Sequence, residues 1–388
     1  MNAQSAIQKE LQDLKSSSLY RTLKSVAGDQ GPILTVDGRE VLNLSSNNYL
    51  GIANHPDLAA AAKQAIDRYG CGSGASRLIS GNMTLHEELE TRIAEFKGTE
   101  AALVFNSGFQ ANTGILATLA GEDDMILSDA LNHASIIDGC RLSRAKVVVY
   151  AHCDLGELEA ALKRAVGYRR KLIVTESIFS MDGDEAPLVE IVELGEKHGA
   201  MVMVDEAYAT GLYGATGAGV VAKLGLGDRV LVQMGTLGKA LGGFGAYVAG
   251  SGALRELLIN RCRSFIFTTS LPPAVMAMAI AAIDLVKREP QRREALWSNC
   301  RHLTEGLRAL GFQIEASASP ILPLIVGDAA KCMKFSELLL ERGVFAQGIR
   351  PPTVPPGTSR LRITLMATHT REHIDGALKV FEEVRALV

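Results

Sequence analysis

Lys239 is the residue of this sequence whose type and position most clearly suggest chemistry. It ends the segment VLVQMGTLGK (230–239), in which an apolar run too short for a typical helix predicts a buried strand, broken by Gly235 and Gly238. Ligands bind at the carboxyl ends of strands in open α/β sheets. A lysine amine there could form a Schiff base with an aldehyde, but a lone Gly-Lys is also typical of a solvated turn. The chemistry therefore requires partners elsewhere in the chain.

A carboxylate lies at a similar place in MVMVDEAY (201–208), where Asp205 and Glu206 follow an apolar run. The run also resembles the Walker B strand of an ATPase. The phosphate loop of an ATPase is not matched, because the GKA sequence at 238–240 has no hydroxyl for Mg²⁺ and no glycine five residues before it. Asp205 could instead pair with a cationic ring nitrogen, although capping or a turn is the common role of such an aspartate.

A phosphate site is suggested by FNSGFQAN (105–112). Ser107, Gly108 and Phe109 lie between a predicted strand and a predicted helix, and backbone N–H groups at a helix N-terminus bind anions. A Ser-Gly pair also serves turn geometry alone in many loops. The segment is therefore a candidate that needs support from the rest of the chain.

Two more segments could line the same edge of the sheet. His133, in SDALNHASIIDG (128–139), lies where an apolar strand ends and a helix begins, so its imidazole could stack on a flat ring or cap the helix. Glu176 and Ser180 belong to TESIFSMDGD (175–184), which follows a further strand. They could face the same site or cap the next helix.

A pair of arginines could bind a substrate carboxylate. In GIRPPTVPPGTSRLRIT (348–364), alternation places Arg360 and Arg362 on one face of a strand, away from Leu361 and Ile363. Arginine binds carboxylates through two parallel hydrogen bonds. The alternative is a basic strand edge that faces solvent.

The elements needed to position these residues are predicted from apolar runs between residues 101 and 250. Seven such runs, separated mostly by helical patterns, predict a mainly parallel sheet with helices on both faces: AALVF, MIL, KVVVY, KLIVT, AMVMVD, VLVQM and AYVAG. After about residue 275, amphipathic helices alternate with the strand segments ILPLIV and LRITL, and these helices are expected at roughly 277–310, 331–342 and 371–386. We therefore expect an α/β protein with a smaller α+β C-terminal domain.

The N-terminal part is predicted to form an arm and a small β-ribbon. Helical spacing covers residues 4–25, and Asp37-Gly38 lies between two apolar strands as a hairpin signal. Helices are expected at about 56–69 and 84–97, the second opened by a Thr84–Glu87 capping box. The expected domains are 1–50 (arm and ribbon), 51–275 (large α/β domain) and 276–388 (small domain).

Composition excludes several classes of function. Forty basic and 43 acidic residues give a net charge of −3, which provides no global attraction to nucleic acid or to anionic membrane. The six cysteines form no C-x-x-C pair and are typical of reduced thiols in the cytoplasm. Neither a secretory signal nor an apolar stretch of 18 residues is found, so we expect no export and no membrane span.

Together, the lysine, aspartate, histidine, phosphate site and arginine meet the requirements of pyridoxal phosphate chemistry. The lysine would hold the aldehyde, the aspartate would keep the pyridine nitrogen protonated, and the arginine would orient an amino acid. The chain resembles the α-oxoamine synthase family over nearly its whole length, in the ordered motifs SSNNYLG (45–51), GSGASRLISG (72–81), FNSGFQAN, LNHAS, FSMDGD, VDEAY, GTLGKALGG, FTTSLPP (267–273) and IRPPTVPPGTSRLRIT.

The resemblance implies the aminotransferase-like fold type I, an obligate homodimer with active sites at its interface, and pyridoxal 5′-phosphate as cofactor. By matching motifs it makes Lys239 the Schiff-base lysine, Asp205 the partner of the pyridine nitrogen and His133 the residue stacked on the ring. The other implied cofactor contacts are Ser107, Gly108, Phe109, Thr236, Glu176, Ser180 and, from the second subunit, Thr268 or Thr269. The implied substrate contacts are Arg21, Asn47 and Arg362.

One position departs from the family pattern. Tyr208 stands where the family usually has histidine, in D-E-A-Y instead of D-E-A-H. The resemblance implies that this residue contacts the phenolic oxygen of the cofactor. A tyrosine hydroxyl can also donate a hydrogen bond, but it holds its proton more tightly at neutral pH.

The activity implied by the resemblance is a decarboxylating condensation of an amino acid with an acyl thioester. The last motif implies L-alanine and a pimeloyl thioester, either of coenzyme A or of a carrier protein, and so a step in biotin biosynthesis. A sibling reaction, such as transfer of an acetyl group to glycine, is the alternative within the class. A catalytically silent member that binds a partner is the alternative outside it, and the intact Lys239 and Asp205 count against it.

Overall fold

The computed structural model of the protein describes residues 2–17, 19–314 and 317–387. Its helices are α1 (Ala3–Ser16), α2 (Pro56–Tyr69), α3 (Thr84–Lys97), α4 (Gly108–Leu119), α5 (Ala134–Ser143), α6 (Leu155–Arg164), α7 (Leu188–His198), α8 (Val220–Lys223), α9 (Gly252–Arg261), α10 (Arg263–Ile266), α11 (Pro273–Arg288), α12 (Gln291–Ala309), α13 (Ala329–Glu341) and α14 (Arg371–Arg385). A short 3-10 helix covers Gly227–Arg229.

The strands are β1 (Val26–Ala27), β2 (Ile33–Val36), β3 (Arg39–Asn43), β4 (Ala101–Phe105), β5 (Met125–Asp129), β6 (Lys146–Tyr150), β7 (Lys171–Glu176), β8 (Met201–Asp205), β9 (Val232–Thr236), β10 (Ala246–Gly250), β11 (Ile321–Gly327), β12 (Val344–Phe345), β13 (Gln347–Ile349) and β14 (Ser359–Thr364). By contacts the chain divides into two units, Asn47–Leu296 and a second unit made of Met1–Ser46 with Trp297–Val388. The three-domain division expected from the sequence stays a prediction.

All seven predicted apolar runs form one sheet, in the order β4-β10-β9-β8-β7-β5-β6. Strands β9, β8, β7, β5 and β6 are parallel, and β10 runs antiparallel between β4 and β9. The predicted mainly parallel α/β fold is therefore confirmed. Because parallel strands share a direction, Asp129, Glu176, Asp205 and Thr236 all lie at one edge of the sheet, which we call the carboxyl edge.

The core of this unit joins strands and helices. Leu103 of β4, Met203 of β8 and Val232 of β9 belong to the same buried apolar cluster as Ile115 of α4 and Leu258 of α9. Burial of such side chains contributes about 1.5–3 kcal/mol each. The cluster therefore fixes the sheet to α9 and to α4, which begins at the carboxyl edge.

Helix α5 approaches α4 closely at one glycine. A Cβ atom at Gly139 would lie 2.8 Å from the carbonyl oxygen of Asn112 and 2.8 Å from a methyl carbon of Leu116. Any larger residue would therefore push the helices apart. This contact keeps Asn112 of α4 within reach of Ser135 of α5, to which its amide donates a 2.9 Å hydrogen bond.

The second unit contains two small sheets. Strands β1, β2, β3 and β12 form one, and the predicted Asp37-Gly38 hairpin joins β2 to β3 with Val36 opposite Arg39. Strands β11, β14 and β13 form the other, with β14 in the centre and both pairings antiparallel. The predicted small α+β part is confirmed. Among the residues that the structure describes, no helix is both long and apolar enough to cross a membrane.

Three local predictions were wrong. The helix expected at 4–25 ends at Ser16, whose hydroxyl bonds to the carbonyl oxygen of Asp13 at 2.9 Å and so competes with the helical pattern. The helix expected at 277–310 is two helices, α11 and α12, because Pro290 cannot continue α11.

The third wrong prediction concerns the start of α3. The helix does begin at Thr84, but Met83 is its N-cap, so the predicted Thr84–Glu87 capping box is not formed. Instead, Nδ1 of His86 accepts the backbone N–H of Met83 at 3.2 Å. A histidine in the first turn thus replaces the expected glutamate.

Candidate active site

Lys239 lies three residues after β9, just beyond the carboxyl edge. Its Nζ atom is 3.4 Å from the centroid of the Tyr208 ring, a cation–π contact. Tyr208 itself follows β8 by three residues and is buried. The two predicted residues, which come from different strands, are therefore neighbours in the structure.

Asp205 is held in a fixed orientation at the end of β8, where it is 4% exposed. Its Oδ2 accepts a hydrogen bond from the side-chain amide of Asn112 at 2.8 Å, and its Oδ1 accepts the backbone N–H of Ala207 at 2.8 Å. Two donors from different directions fix the plane of the carboxylate. A carboxylate fixed in this way is suited to pair with a cationic nitrogen.

A second carboxyl group, Glu176, lies next to Asp205. The two residues are in register on the parallel strands β7 and β8. Burial raises the pKa of Glu176 well above its ordinary value, and the charge of Asp205 acts in the same direction, while Lys239 opposes them. Burial and the charge of Asp205 therefore favour the neutral form of Glu176.

His133 is the N-cap of α5, and hydrogen bonds to Glu176 and Ser135 position it. Its backbone N–H donates to Oε1 of Glu176 at 2.6 Å, and its Nδ1 accepts the backbone N–H of Ser135 at 3.2 Å. Desolvation lowers the pKa of the ring; the charge of Asp205 opposes this effect, and that of Lys239 adds to it. A neutral, flat imidazole thus lies close to both the lysine and the aspartate.

The predicted phosphate loop forms the start of α4. Ser107 is its N-cap, and its hydroxyl accepts the N–H of Gln110 at 3.2 Å. The N–H groups of the first helical residues, Gly108 and Phe109, have no acceptor within a helix. A Cβ atom at Gly108 would lie 2.9 Å from Cγ2 of Thr236, so a larger residue would crowd the space beside this loop. These residues fit a phosphate group.

Thr268 and Thr269 lie beside the same loop. The side-chain amide of Asn106 donates to the Thr269 carbonyl oxygen at 2.8 Å and to the Thr268 hydroxyl at 3.3 Å. The backbone N–H of Asn106 in turn donates to Gln110 at 3.0 Å. The structure therefore joins the FTTS segment to the phosphate loop of its own chain, and their predicted reach into a second subunit stays a prediction.

Asn47 and Ser180 lie in the same unit as Lys239. The Tyr49 hydroxyl donates to Oδ1 of Asn47 at 3.1 Å, and the Tyr49 ring meets that of Tyr208 edge-on at 6.5 Å. Asn47 is thus linked to the tyrosine that contacts the lysine. Ser180 is buried in the turn after β7.

Arg21 and Arg362 lie in the other unit. Arg362 is 8% exposed and Arg360 is 4% exposed on β14, the central strand of its sheet, so a solvent-facing basic edge is excluded. Arg21 is exposed and lines a groove of about 900 Å³ together with residues of α13 and the loop that contains Thr353. Both arginines remain proposals as substrate contacts.

Two important residues were not predicted. Asn112 lies within the quoted segment FNSGFQAN, but the sequence gives no sign of its bond to Asp205, 93 positions away. Lys97 is fully buried and forms an ion pair with Glu206, whose Oε1 also accepts the N–H of Val221 at 2.9 Å. This pair fixes the turn that carries Tyr208. A lysine at the end of an amphipathic helix normally faces solvent, so no local signal marks it.

The site can be compared with known proteins. Residues 39–381 match the family of class I and II aminotransferases. The 8-amino-7-oxononanoate synthase of Symbiobacterium thermophilum is 53% identical over 97% of this chain and 96% of its own length. The enzyme of the same name from Geotalea daltonii is 54% identical, also over 97% of this chain and 96% of its own length.

Solved structures agree with these matches. An SPT structure with pyridoxal phosphate has a TM-score of 0.94 and 36% identity, and the match covers 100% of this chain and 99% of that one. Sphingomonas wittichii serine palmitoyltransferase has a TM-score of 0.93 and 37% identity, with 98% and 97% covered. The 8-amino-7-oxononanoate synthase of Francisella tularensis has a TM-score of 0.77 and 28% identity, with 89% and 98% covered. The chain therefore belongs to the class I and II aminotransferase family and, within it, to the α-oxoamine synthases that its motifs resemble.

Proposed function

We propose that the protein condenses L-alanine with a pimeloyl thioester, with loss of CO₂, to give 8-amino-7-oxononanoate, and that it uses pyridoxal 5′-phosphate as cofactor. The observation that carries the proposal is the similarity to 8-amino-7-oxononanoate synthases along nearly the whole chain. In the overall reaction the amino-acid Cα attacks the thioester carbonyl, the thiol of coenzyme A or of a carrier protein leaves, and the carboxyl group departs as CO₂. The protein is thus an acyltransferase of biotin biosynthesis.

Pyridoxal phosphate supplies an electron-withdrawing ring that stabilises negative charge at the amino-acid Cα. Lys239 would hold the cofactor aldehyde, and its Nζ would accept the Cα proton of alanine. Asp205 would keep the ring nitrogen protonated, with its carboxylate oriented by Asn112 and Ala207. The imidazole of His133 would pack against the cofactor ring.

The remaining site residues bind and orient. Ser107, Gly108, Phe109 and Thr236 hold the phosphate at the start of α4, where the N–H groups and the helix dipole favour an anion. By the resemblance, Arg362 and Asn47 are the residues that would bind the alanine carboxylate, and Arg21 is a further substrate contact. Glu176 supports His133 through the bond to its backbone N–H, and Ser180 contributes a hydroxyl to the cofactor.

We also propose that the protein is a cytoplasmic homodimer. Large apolar side chains are exposed in three loops of the cofactor-binding unit, with Ile79 80%, Phe244 55% and Phe267 70% exposed. Such side chains on separate motifs are suited to an interface with a second copy. Thr268 or Thr269 would then contact the phosphate bound by the partner. Light scattering of the purified protein tests the dimer.

Substrate choice is the test of this function. Alanine, glycine and serine should be compared with pimeloyl-CoA and acetyl-CoA, and we expect the fastest turnover for alanine with pimeloyl-CoA. The similarity to serine palmitoyltransferase structures supports a sibling condensation as the second candidate, which faster turnover with serine or glycine would establish. A colourless protein that shows no spectral change with any amino acid would contradict both and indicate a silent family member.

Arg362→Lys is expected to raise the KM for alanine by roughly 10–100-fold and to leave the KM for the thioester nearly unchanged. Lysine cannot reproduce the two parallel hydrogen bonds of arginine, and each bond to a charged group contributes about 1.5–3 kcal/mol. Steady-state kinetics measures both constants. Arg293→Lys is the control, since it changes a buried arginine whose guanidinium donates to the backbone carbonyls of Val286 and Ala215. An unchanged KM for alanine would show that Arg362 does not bind the carboxylate.

Tyr208→Phe is expected to slow turnover about tenfold, because the phenyl ring keeps the face that contacts Lys239 but loses the donor to the phenolic oxygen of the cofactor. Tyr208→His should speed turnover, since an imidazole N–H is the usual donor in the family. Titrating the visible absorbance with pH in all three proteins measures the hydroxyl's effect on the cofactor.

The control for the two Tyr208 variants is Tyr213→Phe. Tyr213 is a second buried tyrosine, and Nζ of Lys223 lies 5.7 Å from the centroid of its ring. It should leave turnover and absorbance as in the parent. If Tyr208→Phe also titrates and turns over like the parent, the hydroxyl makes no bond to the cofactor and Tyr208 is a packing residue.

A further inference from the structure

His152 connects two carboxylates beside the carboxyl edge. It lies two residues after β6, the edge strand of the large sheet. Its Nδ1 is 2.9 Å from Oδ1 of Asp129, and its Nε2 is 2.8 Å from Oδ2 of Asp184. The imidazole therefore links the segments that follow three parallel strands, β5, β6 and β7.

This geometry favours a charged ring. A neutral imidazole has only one N–H group, while two carboxylates on opposite nitrogens need two. Burial opposes the charge, but the hydrogen bonds to Asp129 and Asp184 outweigh it and raise the pKa of His152 to about 12. The ring also packs edge-on against Phe179, with centroids 4.4 Å apart. His152 is thus a fixed cation and not a proton shuttle.

Both carboxylates support backbone that leads to the active site. Oδ1 of Asp129 accepts the N–H of Leu131 at 2.8 Å, and Oδ2 accepts the N–H of Cys153 at 2.8 Å. Leu131 lies two residues before His133. Asp184 closes the turn after β7, since its carbonyl oxygen accepts the N–H of Phe179, next to Ser180, at 3.1 Å.

A metal site is the alternative for this cluster, because donor atoms of Asp129, His152 and Cys153 lie within 4.8 Å of one another. The thiol, however, is 3.8 Å from Nδ1 and 3.7 Å from Nε2. A sulfur almost equally distant from both nitrogens lies along neither lone pair. Both nitrogens are also engaged by carboxylates, so the geometry favours hydrogen bonds over coordination.

We propose that His152 is a positioning residue whose two hydrogen bonds hold the segments presenting His133 and Ser180 to the cofactor. The inference rests on the proposed function, in which those two residues contact pyridoxal phosphate. His152 itself touches neither the cofactor nor a substrate. It acts through Asp129 on the segment 130–133 and through Asp184 on the turn 177–184.

Two substitutions separate positioning from general stability. His152→Phe keeps a flat ring against Phe179 but removes both hydrogen bonds. Asp184→Asn keeps both, because a neutral His152 can donate from Nδ1 to Asp129 and accept at Nε2 from the introduced amide. His302→Phe is the control, since it removes a histidine paired with Asp375 at 2.6 Å in the other unit.

The first measurement is hydrogen exchange of the apoprotein, and the second is its titration with pyridoxal phosphate followed by absorbance. His152→Phe should speed exchange in both 130–133 and 177–184 and weaken cofactor binding about tenfold or more, as the loss of one charge-assisted hydrogen bond would give. Asp184→Asn and His302→Phe should stay within about threefold of the parent.

Unchanged exchange and affinity in His152→Phe, or equal losses in His152→Phe and Asp184→Asn, would overturn the proposal. So would a rise in melting temperature on adding Zn²⁺ to the parent that is absent in Cys153→Ser, since this would identify a metal site. Exchange in the apoprotein does not depend on the reaction. A parent that binds cofactor and fails to condense alanine would therefore refute the proposed function alone.

Discussion

Lys239→Ala is expected to lower turnover at least about 10⁴-fold, because one amine has two roles, holding the cofactor and moving the Cα proton. The alanine side chain leaves the Tyr208 ring without the cation that now lies 3.4 Å from its centroid. Product formation from alanine and pimeloyl-CoA measures the loss. The visible absorbance of the lysine-bound cofactor should disappear in the same protein.

Lys223→Ala is the matched control, since it also removes a lysine that lies over a tyrosine ring, that of Tyr213. It should keep both the absorbance and the turnover of the parent. Circular dichroism and light scattering should show that both variants remain folded and keep the parent's oligomeric state. Turnover by Lys239→Ala at a rate near that of the parent would remove the basis of the proposed function.

Asp205→Asn is expected to lower turnover by roughly 10²–10³-fold, the effect of leaving a buried charge without its partner. An amide offers one acceptor where the carboxylate offers two. Oδ1 and Oδ2 accept from Ala207 and Asn112, both at 2.8 Å, so one of these donors would face the new NH₂ group. The variant therefore loses both the charge and the orientation of the side chain.

The control for this change is Asp124→Asn. Asp124 is also fully buried, but it precedes β5 at the opposite end of the strand and pairs with Arg169 at 2.7 Å. That variant should be less stable yet bind pyridoxal phosphate as tightly as the parent. Equal cofactor affinity in Asp205→Asn and the parent, measured by equilibrium titration, would contradict a pairing between Asp205 and the ring nitrogen.

Residues at strand ends could be predicted from the sequence because the apolar run that marks a strand lies directly beside them. An apolar run marks a buried strand, and parallel strands end at a common edge, so Glu176, Asp205 and Lys239 were expected near one another. The phosphate loop was found for the same reason, since Ser107 lies between a strand and a helix. The pattern of each segment was enough to place its last residues.

The supporting contacts could not be predicted because they join distant parts of the chain. The bond between Asn112 and Asp205 spans 93 positions, and the bond between His152 and Asp184 spans 32. Burial of Arg362 depends on β14 being the central strand, which alternation within one segment cannot reveal. The early end of α1 and the break between α11 and α12 have local causes, at Ser16 and Pro290. These were missed because the helical periodicity of the flanking residues was given more weight.

The ion pair between Lys97 and Glu206 has a consequence for the order in which the protein can assemble during synthesis. The two residues are separated by 109 positions. A ribosome that adds about 5–20 residues per second would therefore need on the order of ten seconds to make Glu206 after Lys97. During that interval the lysine must stay hydrated, because burying an unpaired ammonium is costly. The end of α3 can reach its final place only when the turn after β8 emerges, so this part of the cofactor site cannot form before Glu206 has been made.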